Sequence, residues 1–398
     1  MSEWKSLSSI TSKIGSGSTP RGGNSVYSDS GISFIRSQNV LDMDFSTENL
    51  AFINDDQAEK LNNVIVEKND ILLNITGDSI ARCTVVPEEI LPARVNQHVS
   101  IIRCKNTEES KYVMYYLQYM KKYLLQISKV GGTRNALTKE AIGKLPIKIS
   151  DDCNKISKIL DNIDQKIQTN NQINQELEAM AKALYDYWFV QFDFPDQNGK
   201  PYKSSGGKMV YNPELKREIP EGWGNSILGE FADLYQPKTI SDKDMIEDGE
   251  YLVYGANGII GRYSEYNHED SMVTISCRGN CGIINITRPY SWITGNSMVV
   301  KPKDDIYNID YISNLLLSLS ISSVITGSVQ KQLTRTSLVP LKVIIPNKEI
   351  IEKYRFITKA SFEKRKSIQI EVEQLTQLRD WLLPMLMNGQ VKVENYTD

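Results

Sequence analysis

Residues 137–149, LTKEAIGKLPIKI, return in altered form at 333–345 as LTRTSLVPLKVII. Both copies run Leu-Thr-basic into a short apolar stretch, and both stop just before a long helical pattern. The offset is 333 − 137 = 196, about half of the 398-residue chain. A segment written twice at half-length spacing marks an internal duplication, and the rest of the sequence falls into place around the two copies.

Ahead of the first copy lie short β-like runs at 32–40, 70–76 and 99–104, then a helical stretch at 111–128. Ahead of the second lie runs at 251–254, 272–277 and 297–301, then a helical stretch at 311–325. After the first copy Ile156, Ile159, Ile163, Ile167, Asn170, Ile173, Leu177, Ala181, Leu184 and Trp188 recur every three or four residues, a stripe of coiled-coil type. Asp151 and Asp152 suit the positive end of that helix. About 35 residues at about 1.5 Å each give a helix on the order of 50 Å long. A second stripe, Ile350, Tyr354, Ile357, Ser361, Ile368, Val372, Leu375, Leu378 and Leu382, follows the second copy. Helix ends match too: LYDYWF at 184–189 answers LRDWLL at 378–383, with both Trp188 and Trp381 expected to pack. Polar residues 169–172 suit a register-setting site, and the charge-rich cluster 363–366 suits a solvated or docking face. Residues 193–223, rich in Gly, Pro, Ser and Lys, suit a surface connection.

The expected organisation is therefore a globular part at 1–150, a long helix at 151–192, a connection at 193–222, a second globular part at 223–346 and a second long helix at 347–390. The fold class is α+β: two α/β parts separated by helices that pair as an antiparallel coiled coil, a dumbbell with approximate two-fold symmetry.

Composition narrows the function classes. The chain is 40% hydrophobic and 24% charged, a globular balance. A net charge of −3 argues against coating nucleic acid by bulk charge but leaves room for a local basic face. Five scattered cysteines without a CxxC, and only two histidines, point to reduced thiols, no structural metal and a cytoplasmic setting. The N-terminal stretch lacks an apolar signal region, and 311–325 is too short and serine-rich to span a membrane. No Asp/Asn-Pro-Pro-Tyr/Phe string and no GxxxxGK[ST] loop occur. No catalytic constellation is visible.

Several stretches, in this order, resemble the specificity subunit of type I restriction-modification enzymes: EWKSLSSITSKIGSGSTPRGG (3–23), NKISKILDNIDQKIQTNNQ (154–172), LYDYWFVQFDFP (184–195), IPEGWGNSILGEFADL (219–234) and YGANGIIG (254–261). The resemblance covers nearly the whole chain. It implies that each globular part is a target recognition domain reading half of a split, asymmetric site in double-stranded DNA. It implies helices that space the half-sites, roughly 34 Å for one DNA turn, and that dock two methyltransferase subunits. Restriction/motor subunits would join them. The chain itself would be non-catalytic and bind no cofactor; S-adenosylmethionine would belong to the methyltransferase, and ATP with Mg2+ to the restriction partner. The sequence departs from the family at the helix starts, ISDDCN (149–154) and PNKEII (346–351), where a Pro-Pro-Leu-x-Glu-Gln-like run is usual. A protein-bridging scaffold without DNA readout, and a stand-alone DNA-modifying enzyme, are the alternatives.

Candidate DNA contacts follow from side-chain chemistry beside turn residues. Ser18, Thr19 and Arg21 lie in a Gly-rich loop whose amides and hydroxyls can approach phosphates. Arg36, Gln38 and Asn39 follow a strand; Arg suits guanine, and Gln or Asn suits adenine. Asn74, Thr76 and Arg82 flank Gly77, Gln97 and His98 precede a strand, and Thr133 and Arg134 follow Gly131-Gly132. The second half offers Tyr254, Asn257, Ser276, Arg278, Asn280, Asn296, Ser328, Gln330 and Lys331, with Arg278 foremost. The competing reading for each is a turn or a solvated loop.

Overall fold

The computed structural model describes residues 3–20, 22, 26–129, 135–327 and 331–393. The chain forms two compact units, Met1–Asn171 with Ile370–Asp398, and Gln172–Gln369. Each long helix gives one part of its length to each unit.

The first unit runs β1 (Glu3–Ser6), α1 (Leu7–Ile10), β2 (Thr11–Ser16), β3 (Ile32–Ile35), β4 (Ala51–Ile53), α2 (Asp55–Glu59), β5 (Ile65–Val66), β6 (Ile71–Asn74), β7 (Cys83–Val85), β8 (Ala93–Val95), β9 (Val99–Cys104), α3 (Ser110–Tyr119), α4 (Lys121–Ser128), α5 (Lys139–Gly143) and β10 (Pro146–Ile149), and enters α6 (Cys153–Tyr185). Its sheets have strand orders β2-β9-β6-β7, β4-β3-β8-β5 and β1-β10. Strands β6 and β9 are buried along nearly their whole length, which is why they read as continuous apolar runs.

The second unit repeats the plan with α7 (Leu228–Phe231), β11 (Met209–Asn212), β12 (Arg217–Pro220), β13 (Gly224–Ile227), β14 (Ala232–Tyr235), β15 (Tyr251–Gly255), β16 (Gly258–Tyr263), β17 (Val273–Ser276), β18 (Ile284–Ile286), β19 (Trp292–Ile293), β20 (Ser297–Pro302), α8 (Ile309–Ser318), α9 (Arg335–Leu338) and β21 (Lys342–Ile345) before α10 (Lys348–Asn388). Orders β14-β20-β17-β18, β16-β15-β19 and β13-β21 answer those of the first unit.

The repeated segment is the hinge of this plan. Leu137 and Leu333 are both 3% exposed. Their backbone N–H groups donate to the Ile75 carbonyl at 2.9 Å and the Cys277 carbonyl at 3.0 Å. The next residue caps a short helix: Thr138 Oγ1 accepts from Ala141 N–H at 3.1 Å, and Thr334 Oγ1 from Ser337 N–H at 3.2 Å. The following strand pairs antiparallel with the strand that leads into the opening short helix, β10 with β1 ahead of α1 and β21 with β13 ahead of α7. The chain then enters the long helix.

Within each unit the long helices run antiparallel. In the first, Arg379 pairs with Asp164 at 2.8 Å and Lys166 with Glu371 at 3.4 Å. Ile156 and Leu160 share one core with Leu383, Leu386 and Met387. In the second, the Tyr354 hydroxyl donates to the Ala181 carbonyl at 3.4 Å and Arg365 lies 3.9 Å from Glu178.

The stripes differ from the expected apolar seam. Asp164, Thr358 and Arg365 are buried off the stripes, whereas the stripe residues Ile173, Ile357 and Leu378 are exposed; Asn170 is buried, as expected of a stripe residue. Each helix face is shared with a shorter helix of the same unit, α3 or α8. Tyr115 of α3 donates to Asp164 at 2.5 Å, Arg365 donates to Asp310 of α8, and Asn308 donates to Thr358 at 2.8 Å. The expectation of a solvated 363–366 cluster thus fails at Arg365. The expectation of packing holds for Trp188, at 4% exposed, and fails for Trp381, at 56%. Residues 193–223 are more than a connection: Phe194 stacks on Tyr202 and Trp223 with centroids 4.7 and 5.0 Å apart, and β11 and β12 form a hairpin. No helix among the described residues is long and apolar enough to cross a membrane.

Burial pushes the Asp310 carboxyl above its ordinary range, and Arg365 pulls it back. Removing one partner leaves the other charge stranded, so Asp310→Ala should destabilise the second unit by about 3 kcal/mol. The double change Asp310→Leu with Arg365→Met should restore most of that. Urea unfolding of the full chain tests this, and a single variant that melts with wild type would refute the arrangement.

Candidate nucleic-acid interface

In the first unit the ends of β2, β3 and β6, the start of β9 and the chain at 135–137 converge at one end of the sheets. Gly17 N–H donates to the Val99 carbonyl at 3.0 Å and Ser18 N–H to Val95 at 3.1 Å. Asn96 N–H reaches Ile35 at 3.0 Å, Ile75 N–H reaches His98 at 2.9 Å, and Thr76 bridges Ala136. The crossing at Gly17 is tight: a Cβ there would stand 2.1 Å from the Val95 carbonyl oxygen. Glycine in this loop is thus required by backbone contact, before any phosphate is considered.

A polar track links three of these loops. Thr19 Oγ1 donates to Gln97 Oε1, Gln97 Nε2 donates to His98 Nε2 at 3.3 Å, and His98 Nδ1 lies 2.6 Å from Thr76 Oγ1. Because the Gln97 amide nitrogen only donates, His98 Nε2 must accept, which puts the ring proton on Nδ1. Gln97 and Gln38 are exposed, and Ser18, Thr19, Thr76, Arg82 and His98 are half-buried.

The same crossing recurs in the second unit. Thr294 N–H donates to the Tyr254 carbonyl at 2.9 Å, Cys277 N–H donates to Asn296 at 2.9 Å, and Arg278 bridges Gln332. The glycine has changed sides: a Cβ on Gly295 would stand 2.8 Å from the Pro237 carbonyl. Asn257, Arg278, Asn280 and Lys331 are exposed, and Asn296 is half-buried.

Other expected contacts face inward. Asn39 and Asn74 are 0% exposed; Asn39 Nδ2 donates to the Ser46 carbonyl at 2.9 Å and Asn74 Nδ2 to the Ser37 carbonyl at 2.8 Å. Arg36 donates to the Asn49 carbonyl at 2.6 Å and lies 5.5 Å over the Tyr27 ring. Ser276, 0% exposed, donates to the Asn280 carbonyl at 2.5 Å. Buried Tyr254 accepts from Arg288 N–H at 3.2 Å. These side chains hold loops in shape. Arg21, Thr133, Arg134, Ser328 and Gln330 lie outside the described residues.

Sequence reading missed the loop after β14. Gln236 Nε2 donates to the Gly295 carbonyl at 2.7 Å, and Thr239 Oγ1 accepts from Gly295 N–H at 3.2 Å. Exposed Lys238 lies between them. The signal was Gln-Pro-Lys-Thr after a strand, the place that Ser-Thr-Pro-Arg fills in the first half. His268 supports this corner: Nδ1 lies 2.6 Å from Asn267 Oδ1 and Nε2 lies 2.9 Å from the Tyr235 hydroxyl. Among the described residues no His, Cys, Asp and Glu group could hold a metal ion.

The model of the type I restriction modification DNA specificity domain matches residues 1–179 and 220–372. The MjaIX specificity subunit of a type I restriction enzyme from Methanocaldococcus jannaschii is 24% identical over 334 residues, which cover 76% of this chain and 74% of that one. The HindI specificity subunit from Haemophilus influenzae is 23% identical over 337 residues, 65% and 72% of the two chains. The crystal structure of a type I restriction-modification S subunit from M. genitalium shares the fold with a TM-score of 0.57 at 15% identity, covering 99% of this chain and 97% of that one.

Burial and the nearby Lys301 charge hold the His268 imidazole below its ordinary value of 6.5. Between that value and the lower folded one, the unfolded state binds the extra proton, so acidification through this window should weaken the second unit. NMR titration with His98→Gln as the assignment variant should place the His268 midpoint below 6.5; a midpoint at or above it contradicts the burial argument.

Proposed function

The chain belongs to the type I restriction-modification DNA specificity family, as its non-catalytic DNA specificity subunit, and on that premise we propose that its two units read the two different halves of one split target. Residues 1–150 would supply the first reader and 223–346 the second. One observation carries the proposal: the same backbone frame is built twice with different outward side chains. Matching hydrogen bonds pair Ile75 with Cys277, Ile35 with Tyr254, and His98 with Asn296. Counting from these anchors pairs Gln38 with Asn257, Thr76 with Arg278, Gln97 with Gly295, and Asn135 with Lys331. A neutral hydroxyl thus stands where its counterpart is a guanidinium suited to guanine. Frames that match and tips that differ call for an asymmetric target.

The contact set in this reading is Ser18, Thr19, Gln38, Thr76, Arg82 and Gln97 in the first unit. In the second it is Lys238, Asn257, Arg278, Asn280, Asn296 and Lys331. Asn39, Asn74, Arg36, Tyr254 and Ser276 act as positioning residues. The helices would dock two methyltransferase subunits. Tyr187 and Trp381 hold matching places in the two helix-end segments and are 39% and 56% exposed, as anchors for two copies of one partner would be. Restriction/motor subunits would complete the cytoplasmic assembly, with S-adenosylmethionine on the methyltransferase and ATP with Mg2+ on the motor.

Co-expression with the methyltransferase and sequencing of the methylated DNA should reveal a split, asymmetric motif. Arg278→Ala should relax one position of one half-site and weaken binding there by about 1–3 kcal/mol. A motif altered in both halves, or not at all, would count against the assignment.

A further inference from the structure

The two units differ at one place beside the helices. The first joins β3 to β4 through residues 36–50, whereas the second joins β15 to β16 through Ala256 and Asn257 alone. The extra length in the first unit makes a finger. Val40 bridges Phe45 at its base, and Leu41 N–H donates to the Asp44 carbonyl at 3.0 Å. The tip seats on the outer edge of β7, where Met43 N–H donates to the Cys83 carbonyl at 2.9 Å and the Met43 side chain packs on the core. On either side, Asp42 pairs with Lys121 at 2.6 Å and Asp44 accepts from Gln168 at 3.2 Å.

The second unit lacks the finger and holds an open cleft of about 620 Å³ in its place. Equivalent positions establish the match. Cys83 lies opposite Leu73 on β6, and Ile284 lies opposite Ile275 on β17. One step earlier, Asn74 N–H reaches Arg82 and Ser276 N–H reaches Ile283, both at 2.8 Å. Leu117 and Leu316, both 0% exposed, set the register of α3 against α8. That register puts Leu317 where Gln118 stands. Ile156 and Ile350, both 7% exposed, set the register of the long helices and put Phe362 where Gln168 stands. Ile284, Leu317 and Phe362 all line the cleft.

The cleft also carries unmet polar demand. Asp310 Oδ2 and Arg365 Nε have no hydrogen-bond partner, although these side chains are only 2% and 8% exposed. The Ile284 carbonyl belongs to an edge strand with no neighbour beyond it. Charges on the lining are Lys182, Arg288, Arg365 and Lys366 against Glu178 and Asp310, a basic balance.

We propose that this cleft receives a finger-like loop of a partner protein, an apolar residue flanked by acidic ones, whose backbone N–H bonds the Ile284 carbonyl as Met43 bonds Cys83. The apolar residue lies against Leu317 and Phe362, and the acidic ones face Lys182 and Lys366. The chain's own Asp42-Met43-Asp44 tip is the template for that chemistry. The inference rests on the chain acting in an assembly with partner proteins.

The test places a photo-crosslinking benzoylphenylalanine at Leu317, which is 57% exposed, in the full chain co-expressed with its partner subunits. The same probe at exposed Gln168 is the positive control and should link to the chain's own finger. Assembly is read by size exclusion on the same sample, separately from the crosslink. The expected result is a crosslinked partner peptide, identified by mass spectrometry, with an apolar residue between acidic ones. Leu317→Glu should weaken partner binding roughly ten-fold through like-charge repulsion, with an unchanged melting temperature. An assembled complex in which the Gln168 probe reacts and the Leu317 probe does not would overturn the proposal. So would a crosslink to a second copy of this chain, to a small molecule, or to a segment without acidic residues.

Discussion

The structure depends on one backbone hydrogen bond made twice, from Leu137 to the Ile75 carbonyl and from Leu333 to the Cys277 carbonyl. That bond pins the segment leaving the loops to the strand that carries the loops. A buried leucine closes the junction, and a threonine cap turns the chain at once into a short helix. The returning strand then pairs with the strand that leads into α1 or α7 and hands the chain to a long helix. Loops and helix are therefore fixed to the same few residues. Holding the loops at a defined place along the helices requires that coupling, and sheet and helix alone do not supply it.

The frame works through main-chain groups, which leaves side chains free to change. Thr76 and Arg278 sit at the same bridge position yet share no chemistry. The tight crossing beside them is kept by glycine on opposite partners, Gly17 in one unit and Gly295 in the other. A requirement of space can be met from either side, whereas a required side chain cannot. This is how a duplicated scaffold keeps its geometry while its two loop surfaces diverge.

The sequence made the duplication, the long helices and the general position of the loops legible, because each rests on periodicity or on repeated words. It did not separate outward-facing loop residues from those that hold the loops. Asn39 and Asn74 sit beside turns as Gln38 and Thr76 do, but their amides close on backbone carbonyls inside the loop. Residue type and local context are the same in both cases; only the direction of the side chain differs. The helix stripes misled for a related reason. A three-four periodicity assumes that the helices bury against each other, but α3 and α8 share those faces and bring polar partners with them. Hence Asp164 and Arg365 are buried although they lie off the expected stripes, and Trp381 faces outward.

Those ion pairs bear on how the long helices keep their register. Asp164, accepting from Arg379 and Tyr115, and Asp310, accepting from Arg365, each tie a long helix to neighbours within their own unit. A well-packed apolar contact would stabilise as much or more, because desolvating two charges offsets most of their attraction. An apolar seam, however, tolerates a slip of one turn with little loss, since leucine meets isoleucine nearly as well one turn on. A buried carboxylate meets its guanidinium at one setting only, and every other setting leaves both charges stranded. Where the register of a long helix against its own unit matters, a contact that forbids slippage serves better than one that merely adds stability.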